Sequence, residues 1–211
     1  MSITALTLVQ KRIIFILGLA AIFGFIMLVN NPFAGAPTAT IIGSGGEEVV
    51  ITLGIIDNVN PEKATKGVGT DVGDAAPNFV LSDGSDGVVR LDSFLGEKAV
   101  IVNFWASWCP FCLEEMPDLE RVSQEFGDDL VILGVNNQET PGQGASYALD
   151  RGVTYPLLYF PKDDEVVKAY EVLAMPTTYY LDKNGIIVER KLGFDTFEGI
   201  REKALKAINA N

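Results

Sequence analysis

The stretch that decides the fold of this chain is Asn103-Phe104-Trp105-Ala106-Ser107-Trp108-Cys109-Pro110-Phe111-Cys112, which holds the only two cysteines among 211 residues. The apolar run 99–106 leads into this stretch and predicts a buried strand. A helix is predicted to follow over 110–126, because Pro110 suits the first helical position and Gly127 suits the position after the last. Cys109 is therefore expected where a strand passes into the N-terminus of a helix.

The C-x-x-C spacing places both sulfurs on one face of the predicted helix, where they can form or open a disulfide. Unpaired backbone N–H groups and the helix dipole at a helix N-terminus favour the thiolate and lower the pKa of a cysteine. We therefore predict that Cys109 is the attacking nucleophile and that Cys112, buried one helical turn below, is the resolving thiol. Exchange would pass through a mixed disulfide on Cys109, which Cys112 then attacks.

Two other uses of the cysteine pair compete with this interpretation. A structural disulfide would close only a minimal loop and would stabilise the fold little. A zinc site would need two further ligands, whereas the chain has no histidine and no third cysteine. The sequence therefore predicts a redox-active disulfide between Cys109 and Cys112, with no metal site and no other cofactor.

Four motifs follow one another along the chain: Gly73-Asp74-Ala75-Ala76-Pro77-Asn78-Phe79, Val102–Cys112, Glu115-Met116-Pro117 and Met175-Pro176-Thr177-Thr178. On these motifs the chain resembles the thioredoxin superfamily, and most of all the membrane-anchored TlpA/ResA-type thiol-disulfide oxidoreductases. The resemblance covers about residues 72–210. It implies an α/β, thioredoxin-like fold with a mixed central sheet flanked by helices, and it implies dithiol–disulfide exchange as the activity.

The resemblance also implies roles for residues that surround the cysteine pair. The Met175–Pro176 bond would be a cis peptide beside the disulfide, and the backbone of Met175 would pair with a strand of the substrate. An ordinary proline at the start of a strand is the alternative. Trp108, Pro110 and Phe111 flank the cysteines, and we predict that they contact the substrate at the rim of the site.

Glu115 stands three residues after Cys112 and so faces the same side of the predicted helix. In TlpA/ResA-type proteins a glutamate at the matching place influences cysteine ionisation and proton transfer. Thioredoxins carry a buried aspartate on the central strand instead, and the corresponding residue here is Asn103, which cannot take a proton. We therefore predict that Glu115 handles protons for the cysteine pair. A solvated surface carboxylate is the alternative.

The rest of the domain alternates between strand and helix patterns. Asn184-Gly185 predicts a tight hairpin turn, and Thr196 predicts a helix N-cap. Strands are predicted over 78–82, 88–91, 130–136, 156–160, 177–182 and 186–192, and helices over 144–151, 163–172 and 197–208.

The N-terminal segment carries a signal for export. Residues 1–12 are predicted to form a short cytoplasmic N-terminus and 13–29 an uncharged transmembrane anchor, since Lys11-Arg12 precedes the apolar run. A cleaved signal peptide stays open as the alternative, because Ala34-Gly35-Ala36 has the small residues of a cleavage site. Either interpretation places the remainder outside the cytoplasm, where disulfide chemistry is permitted.

A linker is predicted between the anchor and the thioredoxin-like domain. Residues 30–71 are rich in Gly, Pro, Thr and Ser, which is typical of a tether. Within this range, 48–56 is too apolar and β-branched for a solvated linker and predicts an added strand or a surface that docks on the domain. The thioredoxin-like domain itself is predicted to occupy 72–211.

The charge and the site together indicate the kind of partner. A formal net charge of −12 makes nucleic acid and anionic membrane surfaces poor partners. We expect an extracytoplasmic reductant of protein disulfides, on the periplasmic or cell-surface side, because no histidine stabilises the thiolate and a carboxylate such as Glu115 raises thiol pKa values. By resemblance, apocytochrome c is the leading substrate and a membrane thiol carrier the electron donor. The alternatives are an oxidase or isomerase for exported proteins, a redox-inert peptide-binding module and a peroxidase.

Overall fold

A computed structural model describes residues 67–85, 87–137, 139–159 and 165–210, together with the backbone of three strands within 38–55. The predicted cytoplasmic segment 1–12 and the predicted anchor 13–29 lie outside the described residues. Across the part of the chain that is described, no helix has both the length and the apolar character needed to cross a membrane.

The elements alternate along the chain much as the sequence predicts. The strands are β1 Thr38–Ile42, β2 Glu48–Thr52, β3 Gly54–Ile55, β4 Phe79–Ser82, β5 Val88–Arg90, β6 Ala99–Trp105, β7 Leu130–Asn136, β8 Leu157–Leu158, β9 Thr177–Leu181 and β10 Ile187–Leu192. The helices are α1 Pro110–Glu125, α2 Pro141–Leu149, α3 Glu165–Ala169 and α4 Phe197–Asn209, and a short 3-10 helix spans Leu91–Phe94.

A five-stranded mixed sheet with the order β10-β9-β6-β7-β8 forms the centre of the domain. β6 pairs in parallel with β7 and antiparallel with β9, and β9 and β10 form the hairpin predicted at Asn184-Gly185. Every residue of β6 is buried, as expected for a strand with both faces of its sheet covered. β6 therefore lies in the middle of the sheet and carries the C-x-x-C loop at its end.

Two hydrophobic cores cover the two faces of this sheet. Alternate residues of β6 divide between them: Ile101 and Trp105 join the core that contains the cysteines and α1, whereas Val102 and Phe104 join the core on the other face. On that second face the ring of Tyr170 lies 5.1 Å, centroid to centroid, from the rings of both Phe104 and Tyr179. The sheet is thus fixed from both sides around the strand that presents the site.

Strands also lie within 30–71, the range for which the sequence predicts a linker. β1 and β2 pair antiparallel with each other, and β3 pairs antiparallel with β4 in a three-stranded sheet β3-β4-β5. β2 and β3 fall within 48–56, where an added strand or docking surface is predicted. β1 has no counterpart among the predicted strands.

Two helices differ by more than one residue from their predicted bounds, for local reasons. α2 begins at Pro141 rather than at 144, because Thr140 precedes it and the Gln143 side chain accepts hydrogen bonds from the Thr140 N–H and hydroxyl at 3.4 and 3.0 Å. α3 ends at Ala169 rather than at 172, and Glu171 shortly after it has a φ of 47°, outside the helical region.

Candidate active site

The cysteine pair lies at the junction between the end of β6 and the start of α1. Cys109 is the N-cap of α1 with extended backbone angles, and Pro110 occupies the start of the helix. The N–H of Cys112 donates to Cys109 Sγ at 3.2 Å, and the two sulfurs are joined as a disulfide. Cys109 keeps 5% of its surface exposed and Cys112 keeps 1%, so a partner reaches Cys109 first. This geometry agrees with an N-terminal nucleophile and a buried resolving thiol.

Glu115 lies one turn further along α1 and is 2% exposed, so it is not a solvated surface carboxylate. Its Oε1 accepts a hydrogen bond from Asn103 Nδ2 at 2.8 Å, and its Oε2 accepts one from the backbone N–H of Asp195 at 3.2 Å. Burial raises the pKa of Glu115 to about 7, although both hydrogen bonds favour the charged form. A carboxyl group with this pKa can both give and take a proton near neutral pH.

Asn103 links the acid to the central sheet. β6 and β9 are paired so that Asn103 lies opposite Thr178, and Asn103 Nδ2 donates to Thr178 Oγ1 at 2.9 Å as well as to Glu115. The residue that replaces the thioredoxin aspartate therefore holds a carboxyl group from the neighbouring helix. Glu115 and Asn103, which the sequence singles out separately, form one hydrogen-bonded unit.

The rim of the site is aromatic and exposed. Trp108 is 64% exposed and Phe111 is 59% exposed, one on each side of Cys109 in the sequence, and Pro110 between them is also exposed. The ring of Phe111 lies 6.5 Å, centroid to centroid, from the ring of Phe194 in the loop after β10. The three residues predicted to contact substrate are thus placed on the surface around the nucleophile.

The Met175–Pro176 peptide bond is cis, and it precedes β9. Met175 is half-buried and packs against the core that includes Cys109 and Cys112. Within the described ranges, the backbone of Met175 takes part in no hydrogen bond. Its N–H and C=O are therefore open to pair with an extended chain, which is the role predicted for this residue.

A second carboxylate, which the sequence did not single out, fixes the loop before Cys109. Glu139 Oε2 accepts hydrogen bonds from the Ser107 backbone N–H at 2.8 Å and from Asn136 Nδ2 at 2.7 Å, and its Oε1 accepts from the Ser107 hydroxyl. Glu139 follows β7, and the carboxyl ends of the parallel strands β6 and β7 share one edge of the sheet. This topology brings Glu139 to the site. Its spacing from the cysteines along the sequence does not predict that position.

Among the residues with described side chains, no three His, Cys, Asp or Glu groups cluster closely enough to hold a metal ion. The chemistry that these residues can perform is exchange at the disulfide, with proton transfer through Glu115. The fold and the site together define a thioredoxin-like thiol-disulfide oxidoreductase.

The chain belongs to the AhpC/TSA family, whose model matches residues 72–190. It is 33% identical over 150 residues to the thioredoxin-like protein YneN of Bacillus subtilis, covering 69% of this chain and 86% of YneN. It is 38% identical over 134 residues to the thiol-disulfide oxidoreductase ResA of Geobacillus thermodenitrificans, covering 62% of this chain and 75% of ResA.

A solved structure gives the same result for the fold. A DsbE-like thiol:disulfide interchange protein of Chlorobium tepidum superposes with a TM-score of 0.61 at 28% identity, over 67% of this chain and all of that one. These comparisons confirm the predicted thioredoxin-like fold, the resemblance to ResA-type proteins and the enzyme class.

Proposed function

We propose that this thiol-disulfide oxidoreductase reduces disulfides in exported partner proteins, from a domain held outside the cytoplasm by the segment 13–29. The observation that carries the proposed direction is the buried Glu115, whose pKa is raised to about 7 by burial one helical turn from Cys112. The export signal in the sequence, Lys11-Arg12 followed by an apolar run, supports the location.

The direction of electron flow follows the relative stability of thiolate and disulfide. An ionised carboxylate near the cysteine pair disfavours a thiolate and so raises the thiol pKa values. Strong oxidants instead need a stabilised thiolate, and the chain has no histidine to provide a positive charge at the pair. Both features favour a dithiol that gives up its electrons readily.

The reaction follows from the positions of the two sulfurs. The Cys109 thiolate attacks one sulfur of the substrate disulfide; that bond breaks, and the other substrate sulfur leaves as a thiolate and takes up a proton. Glu115 then accepts the proton of Cys112, whose thiolate attacks Cys109 Sγ. The mixed disulfide breaks, the second substrate sulfur leaves as a thiolate and is protonated, and two electrons have passed to the substrate.

Apocytochrome c is the leading substrate and a membrane thiol carrier the electron donor, and both are proposed on the resemblance to ResA-type proteins. A tethered domain suits a fixed set of membrane-associated partners, because tethering raises the effective concentration of each. An oxidase for exported proteins would use the same cysteines in the opposite direction, whereas an isomerase would use them with no net transfer of electrons.

The reduction potential of the Cys109–Cys112 pair tests the proposed direction. We expect a value near that of thioredoxin, about −270 mV, when the protein is equilibrated with glutathione buffers. A value near the strong oxidants, about −120 mV, would overturn the proposal. The partners are then identified with Cys112→Ser, which should accumulate mixed disulfides on Cys109 in the source cells, whereas the matched Cys109→Ser variant should not.

A further inference from the structure

A groove with a volume of about 320 Å³ opens beside the N-terminus of α1. It is lined by Ser107, Pro110, Leu113, Glu114 and Arg151. Pro110 directly follows Cys109, and Ser107 lies two residues before it, so the groove adjoins the nucleophile. Neither the disulfide chemistry nor the proton transfer described above uses it.

Arg151 is held in this groove by backbone carbonyls and not by an acid. Its Nε donates to the carbonyl of Leu113 at 3.1 Å, and its Nη1 donates to the carbonyl of Tyr147 at 2.9 Å. These bonds fix the plane of the guanidinium and leave Nη2 without a partner among the described residues. A pre-oriented guanidinium with free N–H groups is a ready binding site for a carboxylate.

The other arginines of the described ranges are all paired with an acid. The pairs, with N–O distances between 2.7 and 4.0 Å, are Arg90–Asp92, Arg121–Asp118, Arg190–Glu171 and Arg201–Glu125. Within these ranges Arg151 alone among the arginines has no acidic partner, in a chain whose formal net charge is −12. An unpaired arginine beside the nucleophile therefore stands out from the charge pattern of the domain.

The sheet order places this groove opposite the Met175 loop. β6, which leads to Cys109, lies between β9 and β7. Met175 precedes β9, and Arg151 follows α2, which itself follows β7. A polypeptide that pairs with the Met175 backbone and presents its disulfide to Cys109 would therefore continue towards the groove on the far side.

We infer that this groove binds the carboxylate of an acidic residue that flanks the disulfide of the substrate polypeptide, with Arg151 as the residue that determines this specificity. Pro110 and Leu113 supply an apolar wall for the methylene groups of such a side chain. Glu114 lines the same groove, forms no ion pair with Arg151 within 4.0 Å, and should weaken the preference by repulsion. The inference rests on the proposed exchange with protein disulfides.

Two synthetic peptide disulfides of equal length test it, one with Glu and one with Gln beside the disulfide, both with amidated C-termini. The reduced protein should show a kcat/KM about threefold to fivefold higher for the Glu peptide, the range of a partly exposed ion pair. Arg151→Gln should abolish that ratio, and Glu114→Gln should increase it. Arg121→Gln is the matched control, because it removes the same charge elsewhere on the surface.

The Gln peptide with a free C-terminus distinguishes a terminal carboxylate from a side-chain carboxylate as the bound group. Equal kcat/KM values for the Glu and Gln peptides, or a ratio that Arg151→Gln leaves unchanged, would overturn the inference. A preference for a Lys peptide would also overturn it, since Glu114 would then dominate the groove. Reduction of 2-hydroxyethyl disulfide, which has no charge, distinguishes failure of this inference from failure of the proposed function. If the parent protein does not reduce this compound, the proposed disulfide exchange itself is contradicted.

Discussion

Asn103 donates through one amide nitrogen to two acceptors, Glu115 and Thr178. Its oxygen Oδ1 is buried and has no hydrogen-bond partner within the described part of the chain. Rotation of the amide would exchange the two ends, so that Oδ1 could accept a hydrogen bond from a protonated Glu115. An asparagine can therefore hold either protonation state of this acid, which a second carboxylate could not do without repulsion.

The raised pKa of Glu115 predicts a dependence of stability on pH. Between the ordinary value of 4.5 and the folded value of about 7, the folded state binds a proton that the unfolded chain has lost, so stability falls as pH rises through this window. The loss should be roughly 3 kcal/mol across the whole window. Urea unfolding of the oxidised protein at pH 5 and pH 8 measures it.

Glu115→Gln should remove most of this dependence, because the amide does not titrate. Glu114→Gln, an exposed neighbour on the same helix, is the control and should keep the pH dependence of the parent protein. Equal changes in unfolding free energy between pH 5 and pH 8 in the parent and in Glu115→Gln would contradict the assignment.

The sequence locates Glu115 through its spacing from Cys112, and the structure places its buried carboxyl group within hydrogen-bond distance of Asn103. The sequence does not indicate Asp195, because the group that Asp195 contributes is a backbone N–H, which any residue type except proline could supply. Local spacing therefore predicts groups on the same helix, whereas contacts from the distant β10–α4 loop depend on how the chain folds.

At the scale of the elements, Gly134 in β7 is a position where neighbouring side chains lie very close to the backbone of the strand. A Cβ atom built there would lie 2.9 Å from Leu157 Cδ2, 3.0 Å from Tyr155 Cε2 and 3.3 Å from Trp105 Nε1. The absence of a side chain at Gly134 thus leaves room for the Leu157 side chain, the Tyr155 ring and the Trp105 indole to pack against β7. Leu157 belongs to β8 and Trp105 to β6, so both strands next to β7 contribute side chains to this close packing.

Gly134→Ala should therefore destabilise the domain by about 1–3 kcal/mol, the usual cost of overpacking a close-packed core. The shift in the urea midpoint at constant m-value measures it. Gly142→Ala is the control: a Cβ there meets nothing within 4 Å, and alanine favours a helix over glycine, so the stability of this variant should not fall. Retention of full stability by Gly134→Ala would show that β7 can move away from Tyr155.

The sequence predicts the hairpin β9–β10 because Asn184-Gly185 specifies its turn locally. The hydrophobic pattern does not predict the start of α2, because the signal for that start is a capping arrangement of Thr140 and Gln143 around Pro141. The run 99–106 predicts a buried strand because nearly all of its residues are apolar, and every residue of β6 is buried.

At the scale of the whole molecule, the main prediction is that the thioredoxin-like domain lies outside the cytoplasm and is held there by the membrane. The full chain should stay with the membrane after carbonate extraction, and added protease should reach the domain in spheroplasts or whole cells without lysis. A chain that begins at Pro37 is the matched control and should be recovered in the soluble fraction with its disulfide exchange intact. Recovery of the full-length gene product as a soluble protein beginning near Pro37 would instead identify 13–29 as part of a cleaved signal.

The hydrogen bond from the Asp195 backbone N–H to Glu115 connects the buried acid with a loop at the surface. The chemical shift of an amide proton depends strongly on the charge of its acceptor, so the Asp195 resonance in a nitrogen-15 NMR spectrum should follow the protonation of Glu115. The chain contains no histidine, so no imidazole titrates in the same range and obscures that signal. The backbone amide of Asp195, in the loop between β10 and α4, therefore reports the protonation state of the acid that we propose takes the proton of Cys112.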